Sequence, residues 1–172
     1  MIQIFTKQFM QDNCGCYSPG QLSACSFMQS DSITLESIIG SEIRLKDKYW
    51  FVCKKLASKE QNQQIAITVA EIMLPMFEKR YPEDKRPREA IEAAKQYIAG
   101  HISLETLIKK RQDAAYADAD VYAADAAYAA DAAYAADAAY AAAAYAAAAA
   151  AAAADDAEIK QQLQDYLLTF IE

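Results

Sequence analysis

Residues 114–154 read AAYADADVYAADAAYAADAAYAADAAYAAAAYAAAAAAAAA, and this stretch decides the class of fold. Twenty-nine of its 41 residues are alanine, the strongest helix former, and it contains neither Gly nor Pro. A tyrosine recurs every six positions between Tyr116 and Tyr140, and an aspartate lies midway between the later pairs, at Asp125, Asp131 and Asp137. The whole chain of 172 residues holds only four Gly and four Pro, so the sequence predicts an all-α protein.

The six-residue spacing of the tyrosines decides how this stretch can pack. Six helical residues advance by roughly 600°, so successive tyrosines point in three directions rather than along one face. One helix from Leu104 to Ala154 would be about 75 Å long, which exceeds a compact domain of this size. We therefore predict a compact multi-helix bundle whose Ala/Tyr-rich C-terminal half folds back on itself, with breaks near residues 113–120 and 141–146.

The length predicts a single domain covering residues 1–172. We expect three parts within it: short helices in 1–57, central helices in 58–112, and Ala/Tyr/Asp-rich helices with a final helix in 113–172. The tyrosines are expected to fill gaps between helices. Two other roles stay open for them, an exposed acidic interaction face and ice binding, although ice binding needs a flat face that the six-residue step does not provide.

Charge is divided unevenly along the chain. Residues 1–112 carry 16 basic and 13 acidic side chains, a net of +3, whereas residues 113–172 carry one lysine and 11 acids, a net of −10. The acidic half argues against nucleic-acid binding, which requires neutralised phosphates, and favours a basic protein partner. The N terminus lacks the pattern of a signal peptide and the recurring aspartates argue against a membrane span, so we expect a cytoplasmic protein.

Capping residues mark the helix boundaries. Ser58 and Gln61 fit a capping box, and the helix that follows is apolar on nearly every side, so it should be the buried central helix. Pro75 should kink or end that helix. Other starts and ends are predicted at Thr6, Ser18 with Pro19, Ser32 or Thr34, Pro87, Gly100 and Ser103.

Several core positions are also predicted by pattern. The segment Tyr49–Cys53 is the densest aromatic cluster, so we expect Trp50 to be substantially buried. In the helix that starts at Pro87, the inward face should comprise Ala90, Ile91, Ala94 and Ile98. The four cysteines, Cys14, Cys16, Cys25 and Cys53, are expected to be reduced thiols, because zinc sites normally use C-x2-4-C pairs; no metal or other cofactor is predicted.

A charged cluster surrounds the start of the same helix. Its members are Asp84, Arg86, Arg88, Glu89 and Glu92. Arg88 and Glu92 are four residues apart, so they are predicted to pair. The cluster has two interpretations, a network that locks the turn to the bundle or a patch that binds a partner. His101, the single histidine, lies beside Gly100 without a nucleophile–base motif, so no catalytic residue is predicted.

Residues 74–103 read LPMFEKRYPEDKRPREAIEAAKQYIAGHIS, and this run resembles a family of putative immunity proteins. Members of that family occur in bacterial polymorphic-toxin loci and in phage genomes. The family pattern is D-x-R-P-R-x-A-I-E-A-A, then a turn with Gly and an Ala-rich helical stretch, and it is matched here from Asp84 to Ala94. Family tracts often carry His and Arg where this chain has Tyr and Asp. The resemblance implies a binding protein and brings no catalytic residues with it.

The favoured function is therefore a non-enzymatic binding protein of the immunity or counter-defence kind, which neutralises a protein partner through an acidic helical surface. The candidate partner contacts are Asp84, Arg86, Arg88, Glu92, Asp125, Asp131 and Asp137. One alternative is a structural or scaffold protein, such as a virion component, that forms homo-oligomers through its Ala/Tyr faces. Another is a small-ligand binder or enzyme with a cleft near Arg86, Arg88 and His101.

Overall fold

The computed structural model describes residues 4–13, 18–30, 32–116 and 157–169, and these residues are mostly helical, as predicted. They form the α-helices α1 (Lys7–Asn13), α2 (Pro19–Ala24), α3 (Leu35–Ile39), α4 (Leu45–Lys55), α5 (Lys59–Arg80), α6 (Arg86–Ile98), α7 (Leu104–Ala115) and α8 (Ala157–Leu168). A 3₁₀ turn at Ser26–Gln29 follows α2. The predicted fold-back of the Ala/Tyr-rich stretch and the positions of its breaks lie outside the described residues.

Local capping signals begin most of these helices. The predicted caps are formed by Thr6, Ser18, Thr34, Ser58 and Ser103. At the start of α5, the Ser58 hydroxyl accepts the N–H of Gln61 at 3.2 Å, and the Gln61 side chain accepts the N–H of Ser58 at 2.8 Å. Each cap satisfies a first-turn N–H that has no partner within the helix, so a few polar residues fix where the helices begin.

The end of α6 was also predicted correctly. Gly100 adopts a positive φ of 75°, which residues with a Cβ rarely reach. The N–H of Gly100 donates to the carbonyl of Tyr97 at 2.9 Å, and the N–H of His101 donates to the carbonyl of Gln96 at 2.8 Å. This pair of bonds is a Schellman motif, and it reverses the chain between α6 and α7.

A two-stranded antiparallel ladder near the N terminus was not predicted. Strand β1 (Ile4–Phe5) pairs with strand β2 (Ile33–Thr34), with Ile4 opposite Thr34 and Phe5 opposite Ile33. Strands of two residues show no measurable alternation, and their pairing joins segments that are distant in sequence. The sequence pattern therefore carries no signal for this ladder.

Helix α5 lies between two apolar clusters and is the buried central helix that the sequence predicts. The N-terminal cluster combines apolar residues between Phe5 and Cys53 with Ile65, Val69 and Met73 of α5 and Ile159, Leu163 and Leu167 of α8. The alanine cluster consists of Ile67, Ala70, Leu74, Ala90, Ile91, Ala93, Ala94, Leu107 and Ala114. The two sets of α5 residues project from opposite sides of the helix, so α5 contributes to both clusters.

Helix α8 packs on the N-terminal half of the chain through buried contacts. The Tyr49 hydroxyl donates a hydrogen bond to the carbonyl of Leu163 at 2.8 Å, and both side chains are fully buried. Gln164 donates to the carbonyl of Ile39 at 3.2 Å. Ile159, Leu163 and Leu167 form the apolar face of α8, and all three are buried.

The sequence singled out Pro75 and Trp50 in this half of the chain. Of the two outcomes predicted for Pro75, a kink or an end, the end is wrong, because α5 continues to Arg80. Pro75 is exposed, so water can solvate the carbonyl that its missing N–H leaves without a partner. Trp50 is partly buried and packs against the N-terminal cluster, in agreement with its predicted burial. The Lys55 ammonium lies 5.9 Å from the centre of its ring.

The predicted inward position of Ile98 is also wrong. Ala90, Ile91 and Ala94 are buried as expected, but Ile98 is 46% exposed. The neighbouring Tyr97 is half-buried against the alanine cluster, so Tyr97 extends the buried face. Ile98 lies on the same face as Ile91, seven residues earlier, but it is the last residue of α6, so its exposure comes from its position at the helix end.

Candidate functional site

The predicted charged cluster lies at the start of α6, where Asp84 and Arg86 form a compact unit. The Asp84 carboxylate accepts hydrogen bonds from the backbone N–H of Arg86 at 3.1 Å, from its Nε at 2.9 Å and from its Nη2 at 2.6 Å. Hydrogen bonds from the Arg86 side chain hold the pKa of Asp84 below its usual range. The carboxylate thus satisfies a first-turn N–H of α6 and complements the positive end of the helix dipole.

Arg88 connects α6 to α5 through a two-pronged ion pair. Its Nε donates to Oε1 of Glu78 at 2.7 Å, and its Nη2 donates to Oε2 at 2.6 Å. These hydrogen bonds lower the pKa of Glu78 and raise that of Arg88. The predicted pairing of Arg88 with Glu92 is therefore wrong, because a carboxylate on the neighbouring helix matches the planar guanidinium with two parallel bonds.

Two lysines continue this network along the helices. The Lys95 ammonium lies 2.5 Å from Glu71 on α5 and 3.1 Å from Glu92 on α6. The Lys110 ammonium on α7 lies 2.6 Å from Glu89 on α6. Hydrogen bonds to Glu71 and Glu89 raise the pKa values of Lys95 and Lys110, respectively. Together with the pairs of Arg86 and Arg88, these contacts form a charged layer over α5, α6 and α7.

The charged layer is nearly balanced, with five carboxylates and four cations. Its carboxylates are Glu71, Glu78, Asp84, Glu89 and Glu92, and its cations are Arg86, Arg88, Lys95 and Lys110. Each of these side chains has an opposite charge within ion-pair distance. The structure thus brings the predicted residues Asp84, Arg86, Arg88 and Glu92 into one network, whereas Asp125, Asp131 and Asp137 lie outside the described residues.

Sequence reasoning missed four members of the network: Glu71, Glu78, Lys95 and Lys110. A usable signal was present, because Glu71 and Glu78 are seven residues apart on α5 and Arg88 and Lys95 are seven apart on α6. Residues seven apart share a helix face. In an antiparallel helix pair, two acids and two bases with this common spacing meet in reverse order, as Glu78 with Arg88 and Glu71 with Lys95 do.

His101 does not join the arginines in a cleft. Helix α6 extends over 13 residues, or about 20 Å, with Arg86 at its start and His101 beyond its end. His101 is exposed and contributes its backbone N–H to the Schellman motif. The predicted alternative of one site near Arg86, Arg88 and His101 is therefore not supported by their positions.

The described cysteines have the chemistry of core thiols. Cys25 and Cys53 are buried and form no disulfide. Burial raises the pKa of both thiols, that of Cys53 to about 12, which disfavours the thiolate that binds metals. Within the described ranges, no three His, Cys, Asp or Glu side chains converge as metal ligands would. Cys14 and Cys16 lie outside those ranges.

None of the described helices combines the length and the apolar character that a membrane crossing requires.

The family comparison agrees with the resemblance seen in the sequence. The model of the Imm-5 like putative immunity protein family matches residues 53–169, and the chain belongs to this family. The match includes the whole charged layer and α8. Neither the search of curated proteins nor the search of solved structures gave a match. Membership implies toxin neutralisation, with a toxin protein as the partner.

Proposed function

We propose that this protein is a non-enzymatic immunity protein that neutralises a toxin by binding it through an acidic helical surface. Family membership supports the toxin as partner. The proposal rests on a contrast between two parts of the chain. In the charged layer, each acid is paired with a cation of the same protein. The net charge of −10 in residues 113–172 has no such compensation in the sequence, and it favours a toxin with a basic surface.

The proposed contacts divide into two groups. Asp125, Asp131 and Asp137 supply the uncompensated negative charge, at intervals of six residues. The second group, Asp84, Arg86, Arg88 and Glu92, lies at or near the start of α6. The Arg88 and Glu92 side chains are each 52% exposed, so they can meet a partner at the rim of a contact while they remain paired. Such rim charges affect the rate of association and its salt dependence more than the final affinity.

Charge also defines how neutralisation would proceed. An acidic surface attracts a basic toxin over roughly a Debye length, about 8 Å at physiological salt, so encounters are frequent. Contact then covers the toxin surface without a chemical step. The association rate should accordingly fall steeply as salt concentration increases.

The test uses each candidate toxin encoded near the gene, produced with and without this protein in a bacterial host. We expect the protein to restore growth and to bind the purified toxin. The triple variant Asp125→Asn, Asp131→Asn and Asp137→Asn should reduce the association rate by about tenfold at low salt. The control carries Glu36→Gln, Glu83→Gln and Glu105→Gln, which remove the same charge from exposed positions elsewhere.

Three outcomes would contradict the proposal or part of it. Absence of both rescue and binding would overturn the immunity function, and self-association of the purified protein in the same experiments would favour the scaffold alternative. Equal reductions in both triple variants would show that net charge matters and that the aspartate series is not the binding surface. Melting curves of all variants establish that they remain folded.

A further inference from the structure

Lys48 is a lysine on the buried side of α4. Only 4% of its surface is exposed, and its neighbours Leu45, Tyr49 and Val52 belong to the N-terminal cluster. Lysine is almost never buried this deeply unless an opposite charge pairs with it. Among the described residues, however, no carboxylate forms an ion pair with Lys48. The fold thus buries this side chain without a direct partner for its charge.

A second lysine, Lys160 of α8, adjoins Lys48. The hydrogen bond from Tyr49 to Leu163 fixes how α4 lies against α8. Lys48 is next to the donor in sequence, and Lys160 lies three residues, almost one helical turn, before the acceptor. Burial lowers the pKa of Lys48, and repulsion by Lys160 lowers it further. Two positive charges from two helices therefore meet at this junction.

Glu42 is an acidic side chain whose charge acts on Lys48, but its oxygens are engaged elsewhere. Its Oε1 accepts the backbone N–H of Ser26 at 2.7 Å, and its Oε2 accepts the Ser26 hydroxyl at 2.6 Å. These bonds hold the carboxylate at the start of the 3₁₀ turn, so its attraction acts on Lys48 from beyond ion-pair distance. One negative charge beside two lysines leaves an excess of one positive charge.

The ammonium of Lys48 can be reached from solvent, although its stem is buried. The nitrogen has no hydrogen-bond partner among the described residues and still touches water. We propose that Lys48 and Lys160 form a binding site for a small phosphate-type oxyanion at the junction of α4 and α8. Such an anion can compensate both lysines, because its several oxygens accept hydrogen bonds from two ammonium groups at once. The site shares no residue with the charged layer and is independent of the proposed function.

A titration with inorganic phosphate, followed by NMR, tests the site. The backbone amide signals of Lys48 and Lys160 should shift along a saturable curve when sodium chloride keeps the ionic strength constant. Two charge-assisted hydrogen bonds correspond to a dissociation constant on the order of 1 mM. At about 20 mM phosphate, the equilibrium constant for unfolding should therefore fall about twentyfold relative to chloride. Shifts that do not saturate, or that chloride reproduces, would overturn the site.

Two variants each remove one of the charges. Lys48→Met retains the apolar stem, and Lys160→Gln changes an exposed position; each should weaken phosphate binding at least about tenfold. Lys46→Met is the matched control, since Lys46 lies two residues earlier on α4 and points away from Lys48, and it should bind as the parent does. Phosphate also stabilises proteins by exclusion from their surface, an effect common to all variants. Binding as tight as the parent's in either lysine variant would overturn the two-helix site.

Sodium acetate tests the class of anion. A single carboxylate compensates one charge only, so it should bind at least about tenfold more weakly than phosphate. Equal binding of acetate and phosphate would overturn the assignment to a phosphate-type anion. If Lys48→Met does not fold, the exposed substitution Lys160→Gln decides the outcome by the same titration.

Discussion

Helix α8 and helix α6 are attached to the central helix α5 by opposite means. Helix α8 inserts Leu163 and Leu167 into the N-terminal cluster and receives the buried hydrogen bond from Tyr49. Helix α6 buries mostly alanine, at Ala90, Ala93 and Ala94, and adds ion pairs whose side chains are partly exposed, by 21–52%. Burial of a large apolar side chain contributes about 1.5–3 kcal/mol, whereas an exposed ion pair contributes about 0–1 kcal/mol.

The difference shows that the contacts of α8 and of α6 have different roles. Alanine removes little surface from water but allows the helices to approach closely, so α6 contributes little to stability per residue. The ion pairs then select one register, because Glu71 and Glu78 meet Lys95 and Arg88 only when the helices are aligned as observed. The attachment of α8 provides stability, and that of α6 provides alignment and an exposed charged face.

The largest effect is expected where α8 meets the core. Leu163→Ala should reduce the free energy of unfolding by about 2–5 kcal/mol, because Leu163 is fully buried and the alanine leaves a cavity. Chemical denaturation measures the change. Gln162→Ala, at the neighbouring exposed position of α8, is the control and should change stability by about 0.5 kcal/mol or less. A loss for Leu163→Ala no larger than that of the control would remove the proposed contrast between the two helices.

An intermediate effect is expected from the hydroxyl of Tyr49. Tyr49→Phe should cost about 1 kcal/mol at neutral pH, since the ring remains and one buried hydrogen bond is lost. Burial raises the pKa of Tyr49 above its unfolded value of about 10. The stability that depends on the neutral hydroxyl is therefore fully present below about pH 10 and is lost as the pH increases further.

The pH dependence separates Tyr49 from the other titrating groups. Denaturation at pH 8 and at pH 11 should show that the parent protein loses its advantage over Tyr49→Phe at the higher pH. Cys53 and the other tyrosines are present in both proteins, so their contributions cancel. Parallel losses of stability in the two proteins would contradict a buried, neutral Tyr49.

The smallest effect is expected in the charged layer. Arg88→Ala should cost about 0–1 kcal/mol, because half of the Arg88 side chain is exposed and solvent screens the pair with Glu78. The hydrogen bond from Arg88 lowers the pKa of Glu78, so its contribution is present above about pH 4.3 and is lost as the pH falls through the folded-state value. Carboxyl chemical shifts followed by NMR during an acid titration should show a higher pKa for Glu78 in Arg88→Ala.

Lys109→Ala is the control for that change, because it removes a positive charge from an exposed position on α7. It should leave the titration of Glu78 unchanged. If Arg88→Ala reduced the free energy of unfolding by several kcal/mol, the charged layer would stabilise the fold as strongly as the N-terminal cluster does.

How well each feature of the fold was predicted depends on how far apart in sequence the interacting residues are. Thr34, Ser58 and Gly100 act within one helical turn, and their roles were predicted from short patterns. The pairing of β1 with β2 depends on segments far apart in sequence, so no local pattern indicates it. The prediction that Ile98 faces inward was wrong for a related reason, since the burial of a helix end depends on which neighbouring element reaches it.

The helix start that carries the charged cluster was predicted from the sequence, but the ion pairs within the cluster were not. The D-x-R-P-R pattern correctly placed Asp84, Arg86 and Arg88 at the start of a helix. The partner of Arg88 was assigned within α6, at Glu92, because only spacings inside one helix can be read from a sequence without knowing its neighbours. The seven-residue match between α5 and α6 would have identified Glu78, once an antiparallel pair was assumed.

The hydrogen bond between Tyr49 and Leu163 spans 114 positions, so the ribosome synthesises its two partners at different times. Translation at about 5–20 residues per second places roughly 6–23 s between the synthesis of the two residues. Throughout that interval the N-terminal cluster lacks Ile159, Leu163 and Leu167, and the apolar surface that they cover is open to solvent. The nascent chain thus exposes this apolar surface to chaperones and to neighbouring chains until α8 has emerged from the ribosome.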